Sequence, residues 1–540
     1  MGITSLDSDV TIYVLGAGAS KAAGIPLMSD FIPELEQDLQ DPKSNTHRYL
    51  ESRKRSKPEE VVIGLRDLQS MLAKHPQSLN INGSPVPDVE LMLSALDSLK
   101  NADQDPMSYL TTGFKTEAEK VRPLSDDIAD VLRYYVRYRC VCRSAEDTAY
   151  LDPLVITSKG VPLEIYSLNY DPCIEIACER NNLSYTDGFS NHWDPELFGN
   201  DSYRVKLYKL HGSVTWYRMV NDSKQLVRIP YVVLEPDITY LSAFAVEDMI
   251  SYPAMRKDNG SEPYRQLMAR FEVALSKADN VVVIGYSLRD PEIRTLIADS
   301  LRKDQAKVCV LAGPDAETLT QHPDFDSIRL QMLPLMATAE ESLRRGLIHQ
   351  VVGALKSWRQ YYRQAIESDA RAGTRWGSPH WERALKAAAE AFRTDYALDL
   401  AAHLPGLRKG TLLEVLSSWQ NEGLTRQVVK GLQLLADGHL PDASLLCFVP
   451  ALLCESLAGG ADQSTRRLLA TGAKNADSVV DSVFNEKWLS VISRAYSVAD
   501  GATKGKLQRV FQTYKGCVEQ GSENPDRLVY FRQACLEAEK

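Results

Sequence analysis

The stretch Val14-Leu15-Gly16-Ala17-Gly18-Ala19-Ser20, continued by Lys21-Ala22-Ala23-Gly24-Ile25-Pro26, decides how this chain is read. Ile12, Tyr13, Val14 and Leu15 are β-formers that run straight into small residues. Gly16 and Gly18 allow a sharp backbone turn and the close approach of a ligand. A helix opening just after such a turn would offer free N–H groups to a diphosphate, so the stretch reads as strand, nucleotide-binding turn and helix. Small residues serve equally where a helix packs tightly on a strand, so the turn needs support from elsewhere.

Three further blocks supply it: Ile165-Tyr166-Ser167-Leu168-Asn169-Tyr170-Asp171, Tyr208-Lys209-Leu210-His211-Gly212-Ser213-Val214-Thr215-Trp216, and Val281-Val282-Val283-Ile284-Gly285-Tyr286-Ser287-Leu288-Arg289-Asp290-Pro291. The first and third are apolar strands ending in polar, turn-forming residues, and the second sets a histidine beside a glycine after a short β-prone run. In this order the four blocks resemble the Sir2, or sirtuin, superfamily: a Gly-Ala-Gly-x-Ser turn, an Asn-x-Asp strand end, a His-Gly element and a late Gly-x-Ser strand end, over residues 8–315.

The resemblance implies NAD as the substrate. Its nicotinamide–ribose bond breaks through a cation-like ribose with a good leaving group, so a protein must chiefly hold the ribose and place a polar group or water on its open face. By resemblance, Asn169 orients the ribose and a water, His211 is the general base, and Asp171 touches the nicotinamide carboxamide or supports Asn169. An imidazole of ordinary pKa, about 6.5, suits a base at neutral pH. Gly16, Ala17, Gly18 and Ser20, with Gly285, Tyr286 and Ser287, would hold the dinucleotide. Asp30 would face nicotinamide, although Leu27, Met28 and Ser29 separate it from Gly24-Ile25-Pro26. Simpler roles stand beside these: Asn169 as the cap of a helix opening near Pro172, Ser20 and Ser287 as caps, and His211 as a turn-closing side chain.

Two departures from the superfamily narrow the function. Deacylating members carry two Cys-x-x-Cys pairs on a structural zinc, whereas this chain has no Cys-x-x-Cys and no cysteine between His211 and Cys309, so no zinc is expected. The strand Val308–Leu311 ends in Ala312-Gly313-Pro314-Asp315 where sirtuins present an asparagine, so the adenosine side would use other contacts. With no recognisable acyl-peptide cleft, water is the expected acceptor. The blocks look most like bacterial Sir2-like proteins that deplete NAD in antiphage defence, which implies an NAD glycohydrolase that assembles or answers a separately encoded partner or phage-derived trigger. A protein deacylase or ADP-ribosyltransferase, and a non-catalytic nucleotide sensor, remain open.

At 540 residues the chain is expected to form at least two domains. Its net charge of −10 argues against nucleic acid as the direct partner. No stretch approaches the roughly 18 to 20 apolar residues of a membrane span, and the N-terminus lacks a signal-peptide pattern, so a cytoplasmic protein is expected. The nine cysteines, several within apolar runs, suit reduced core thiols. Apolar segments at Leu163–Leu168, Val205–Leu210, Val227–Leu234, Val281–Ile284 and Val308–Leu311, several separated by helical stretches, predict a Rossmann-like, doubly wound parallel sheet over residues 1–335, with a helical insertion at about 40–150. Within it, Asp88-Val89-Glu90-Leu91 reads as a helix start with acids at the positive end of the dipole, or as an acidic stretch common in bacterial Sir2-like proteins. Residues 336–540 read as an all-α regulatory or assembly domain. Its apolar stripes are Leu347, Val351, Leu355, Trp358 and Tyr362; Leu385, Ala388, Ala389, Phe392 and Tyr396; and Leu412, Val415, Leu416 and Trp419.

Overall fold

The β-formers before Gly16 form β1 (Thr11–Leu15), a central strand of a seven-stranded sheet. The computed structural model describes residues 9–53, 56–74, 89–100, 115–142, 144–190, 192–220, 225–229, 246–250, 262–304, 306–374 and 378–390. Its other strands are β2 (Leu163–Ser167), β3 (Tyr185–Thr186), β4 (Val205–Lys209), β5 (Gly212–Met219), β6 (Leu226–Arg228), β7 (Val246–Ile250), β8 (Asn280–Ile284), β9 (Val308–Ala312) and β10 (Met332–Leu335).

The large sheet runs β10-β9-β8-β1-β2-β4-β3 and every pairing in it is parallel. Val14 sits level with Tyr166 on one side and Val283 on the other. The chain builds outward from β1 through β2, then returns to its other edge with β8, so the direction of winding reverses between β1 and β8. In open α/β sheets such a reversal opens a crevice at the carboxyl ends of the strands.

Alternation of side chains gives the sheet two buried faces, as an all-parallel sheet requires. Ile12, Val14, Tyr166, Tyr208, Val281, Val283 and Leu311 join one core with Phe271 and Ile297 from the helices Tyr264–Lys277 and Pro291–Lys303. Tyr166 stacks on Tyr208 at 4.5 Å between ring centroids. On the opposite face Leu15, Ile165, Leu207, Val282 and Val310 are buried as well. Helices Phe31–Gln40, Asn45–Arg53, Pro58–Ala73, Val89–Lys100, Lys115–Val121 and Ser125–Arg139 fill the span between β1 and β2. Asp88 and the prolines 76, 85, 87 and 106 lie outside the described residues.

Two local expectations are corrected. No α-helix opens directly after Gly16. Two 3-10 turns, Ala17–Ala19 and Lys21–Ala23, follow instead, and the first α-helix begins at Phe31. Gly24, at φ +80°, closes the second turn, and Pro26 biases Ile25 away from helical backbone, so a helix cannot run through. The segment at Val227 is a strand, but β6 pairs with β5 in a separate antiparallel sheet, β6-β5-β7, outside the parallel set. Residues 230–234 lie outside the described residues.

The chain divides into two compact units, residues 1–348 and 349–540. In the second, Leu355 and Trp358 on the helix Leu347–Ala372 are fully buried, as are Leu385 and Ala388 on the helix His380–Glu390. Tyr362 meets the Trp381 ring edge-on at 5.5 Å, and Trp381 Nε1 donates to Asp369 Oδ2 at 2.8 Å. Phe392, Tyr396 and the stripe from Leu412 to Trp419 lie outside the described residues. No helix among the described residues is long and apolar enough to cross a membrane.

Candidate functional site

The turns after β1 and β8 interlock at the winding reversal. Gly16 N–H donates to the Ile284 carbonyl at 3.0 Å, and Gly18 N–H to the Gly285 carbonyl at 2.7 Å. A Cβ on Gly16 would lie 2.5 Å from Tyr286 Cβ, and one on Gly285 would lie 2.2 Å from the Ala19 nitrogen. Gly285 also holds φ +63°. These glycines therefore let two neighbouring loops pass at backbone distance, a packing role that the bare motif did not reveal. Ala19 and Ser20 N–H groups turn back to the Gly16 and Ala17 carbonyls, so amides expected to face a diphosphate are engaged within the protein.

β2 delivers its strand-end residues to the same place. Leu168 N–H donates to the Leu15 carbonyl at 2.9 Å. Asn169, buried, then donates from Nδ2 to both the Gly16 carbonyl and Ser20 Oγ, each at 2.9 Å. The Gly16 carbonyl can only accept, which fixes the amide nitrogen toward the turn and leaves Oδ1 as the group available to a ligand. Asn169 does not cap the following helix. Its N-cap position is Pro172, and Asp171 Oδ1 accepts from the Cys173 N–H at 3.1 Å at the head of the helix Cys173–Arg180.

His211 lies between β4 and β5, where the chain leaves the parallel sheet. Gly212 makes the corner at φ +83°, with a Cβ position only 2.0 Å from the Met249 carbonyl, so no other residue fits there. β5 is stitched to the Asn169–Asp171 turn: Val214 N–H donates to the Tyr170 carbonyl at 3.0 Å and Ser213 Oγ to the same oxygen at 3.3 Å. His211 Nε2 stands 3.4 Å from Asp290 Oδ2, and both residues are buried at 7 % exposure. Asp290 also caps the helix Pro291–Lys303, its Oδ1 accepting from the Glu292 N–H at 2.9 Å. Its own N–H donates to Tyr286 Oη at 3.1 Å. The loop between them carries Leu288 at φ +56°, a strained position for a branched residue, and Arg294 Nη1 holds the Leu288 carbonyl at 2.7 Å.

Gly16, Ala17, Gly18, Ser20, Asn169, Gly285 and Tyr286 thus gather through hydrogen bonds or close packing around the β1 turn. Asp171 and His211 join through the Tyr170 carbonyl and Asp290, and Ser287 is exposed on the same loop. Asp30 stands apart at the head of the helix Phe31–Gln40, its carboxylate accepting from the Leu27 N–H and from Ser29 Oγ. No hydrogen bond or ion pair among the described residues ties it to Asn169, Asp171 or His211.

Sequence reading did not single out Asp290, Lys209 or Glu175. Asp290-Pro291-Glu292 has the form of a helix start, and that signal conceals the second task of its carboxylate. Glu90 satisfies the helix-start reading, lying in the first turn of Val89–Lys100, and its Oε1 also accepts from Tyr170 Oη at 2.8 Å. Cys142 and Cys173 meet at 3.1 Å between sulfurs, but no group of three or more His, Cys, Asp or Glu among the described residues is arranged to hold a metal.

Residues 163–330 match the family described as the SIR2-like domain. No curated protein matches the chain.

Proposed function

We propose, on the premise of the SIR2-like domain matched over residues 163–330, that this chain is a Sir2-like NAD glycohydrolase. The observation that carries the reading is the pair of bonds from Asn169 Nδ2 to the Gly16 carbonyl and Ser20 Oγ, which brings the strand-end asparagine onto the turn at the switch crevice. Asn169 Oδ1 orients the nicotinamide ribose and the attacking water. The nicotinamide–ribose C–N bond breaks, the electron pair leaves with nicotinamide, and the water oxygen bonds to the ribose C1′ as His211 removes its proton. Asp290 holds the imidazole in place. Asp171 backs the turn, and Gly285, Tyr286 and Ser287 line the dinucleotide's path. The products of this water attack are nicotinamide and linear ADP-ribose; attack of the adenine N1 on C1′ in place of water would give the cyclised product.

A constitutive enzyme of this kind would exhaust its host's NAD. The reading therefore includes a resting state, with activation by self-assembly, a partner protein or a phage-derived signal in antiphage defence, and with the region after residue 335 as the controlling part. Incubating the activated full chain with NAD and separating the products tests it. Nicotinamide and free ADP-ribose are expected, and His211→Ala and Asn169→Ala should each lower turnover at least about 100-fold, since removing a general base alone costs 10²- to 10⁴-fold. Intact NAD would support a sensor, and ADP-ribose found on a protein acceptor would support a transferase. Near-normal turnover in His211→Ala would overturn the assignment.

A further inference from the structure

Behind the candidate site lies an ammonium almost sealed from solvent. Lys209, the last residue of β4, is 1 % exposed, and Glu175 on the helix Cys173–Arg180 is 4 % exposed. Lys209 Nζ donates to Glu175 Oε1 at 3.0 Å, to the Tyr170 carbonyl at 3.4 Å and to the Asp171 carbonyl. All three ammonium donors thus have acceptors, and two of those acceptors are the main chain of the turn that carries Asn169. Ser20, Ser167, Asn169 and Asp171 line a small cavity with this pair, with room for about one water molecule.

Burying such a pair is an inefficient route to stability. Each ion loses several kcal/mol of hydration, and apolar residues of similar volume often serve as well or better. Glu175 shows the strain: burial pushes its carboxyl upward, and the Lys209 charge only opposes that push. Its Oε2 has no hydrogen-bond partner among the described residues. What an apolar pair could not do is gather two successive carbonyls. The Tyr170 carbonyl has other donors in Val214 and Ser213, so the contact that Lys209 alone supplies among these is to Asp171.

We propose that Lys209 is a positioning residue for the reaction proposed above: its ammonium draws the Tyr170 and Asp171 carbonyls inward, so that the turn presents Asn169 to the Gly16 carbonyl and Ser20, with Glu175 balancing the buried charge. The inference rests on the glycohydrolase reading and goes beyond it in naming what holds the asparagine. Misplacement of a reacting group by about 1 Å can cost on the order of 100-fold in rate, so a loss of about 10- to 100-fold is expected without the ammonium.

The test uses the activated full chain with Lys209→Met, Glu175→Gln and the double variant Lys209→Met/Glu175→Leu, beside His211→Ala. Melting temperature, kcat and KM for NAD are measured for each. The double variant is expected to melt within about 3 °C of the parent while kcat falls about 10- to 100-fold with little change in KM. Glu175→Gln, which leaves the ammonium on its two carbonyls, should lose only about threefold. A double variant with the parent's kcat, alongside an inactive His211→Ala, overturns this inference and leaves the glycohydrolase reading standing. If the double variant does not fold, the single variants decide: equal losses in Lys209→Met and Glu175→Gln would make charge balance the function and overturn the carbonyl clamp. A parent that leaves NAD intact, or that is indifferent to His211→Ala, removes the reading and this inference together.

Discussion

Gly24 and Gly285 both hold positive φ, at +80° and +63°, yet their surroundings differ completely. A Cβ on Gly24 meets nothing within 4 Å, whereas one on Gly285 lies 2.2 Å from Ala19 N and 2.4 Å from the Gly18 carbonyl carbon. Gly24→Ala is therefore expected to cost only the left-handed backbone penalty, about 1 to 2 kcal/mol. Gly285→Ala adds a collision between two main chains and should cost upwards of about 4 kcal/mol, read as loss of the cooperative melt of the first unit. Equal melting temperatures for the two variants would refute the interlock. The glycines were visible in the sequence, but the reason for them was not, because a motif records where a side chain is missing and not what occupies the space. Asn169 and His211 were legible because each stands at an abrupt change from apolar strand to polar turn. Lys209 was not, since an alternating strand end with a lysine reads as a solvated tip until the helix Cys173–Arg180 covers it.

At the scale of elements, the helix Pro291–Lys303 begins with a residue that serves two partners. Asp290 caps the helix through one oxygen and faces His211 with the other. Asparagine caps about as well as aspartate, while alanine does not, at a cost of about 1 kcal/mol. Asp290→Ala should therefore melt below the parent and Asp290→Asn should not, while turnover falls about tenfold or more in both. If Asp290→Asn turns over NAD normally, the carboxylate has no role at His211. The same scale shows which strands could be read in advance. β8 and β9 are compact apolar runs, the pattern of strands buried on both faces, while β2 and β4 keep apolar residues around a single charged interruption, Glu164 in one and Lys206 in the other. β5 was hidden because Ser213, Thr215 and Arg218 interrupt its pattern, and its place depends on a glycine corner and on partners 226–228 and 246–250. β10 contains Pro334, which reads against a strand but is tolerated at the sheet edge.

For the whole molecule, control and metal content can be tested separately. The cysteine spacing leads to the expectation that purified protein carries no stoichiometric zinc; about one zinc per chain surviving chelator treatment would contradict it. The region after residue 335 is proposed to hold the enzyme at rest or to assemble it, and a shift from 1:99 to 99:1 needs only about 5.5 kcal/mol of differential binding. Comparing the full chain with one ending near residue 335, by NAD turnover and by mass in solution, separates the two: a pure restraint predicts higher basal activity on truncation, and an assembly role predicts loss of both oligomer and induced activity. A folded truncated protein that matches the full chain in all three would exclude control by this region. The sheet order also sets a timetable for synthesis. β1 pairs with β8, and Thr11 and Asn280 are 269 residues apart. At about 5 to 20 residues per second, roughly 15 to 50 seconds of translation separate them. Until Gly285 emerges from the ribosome the β1 turn has nothing to lock against, so whatever chemistry the crevice performs cannot begin on a half-made chain, and the cell meets it only once most of the first unit has been made.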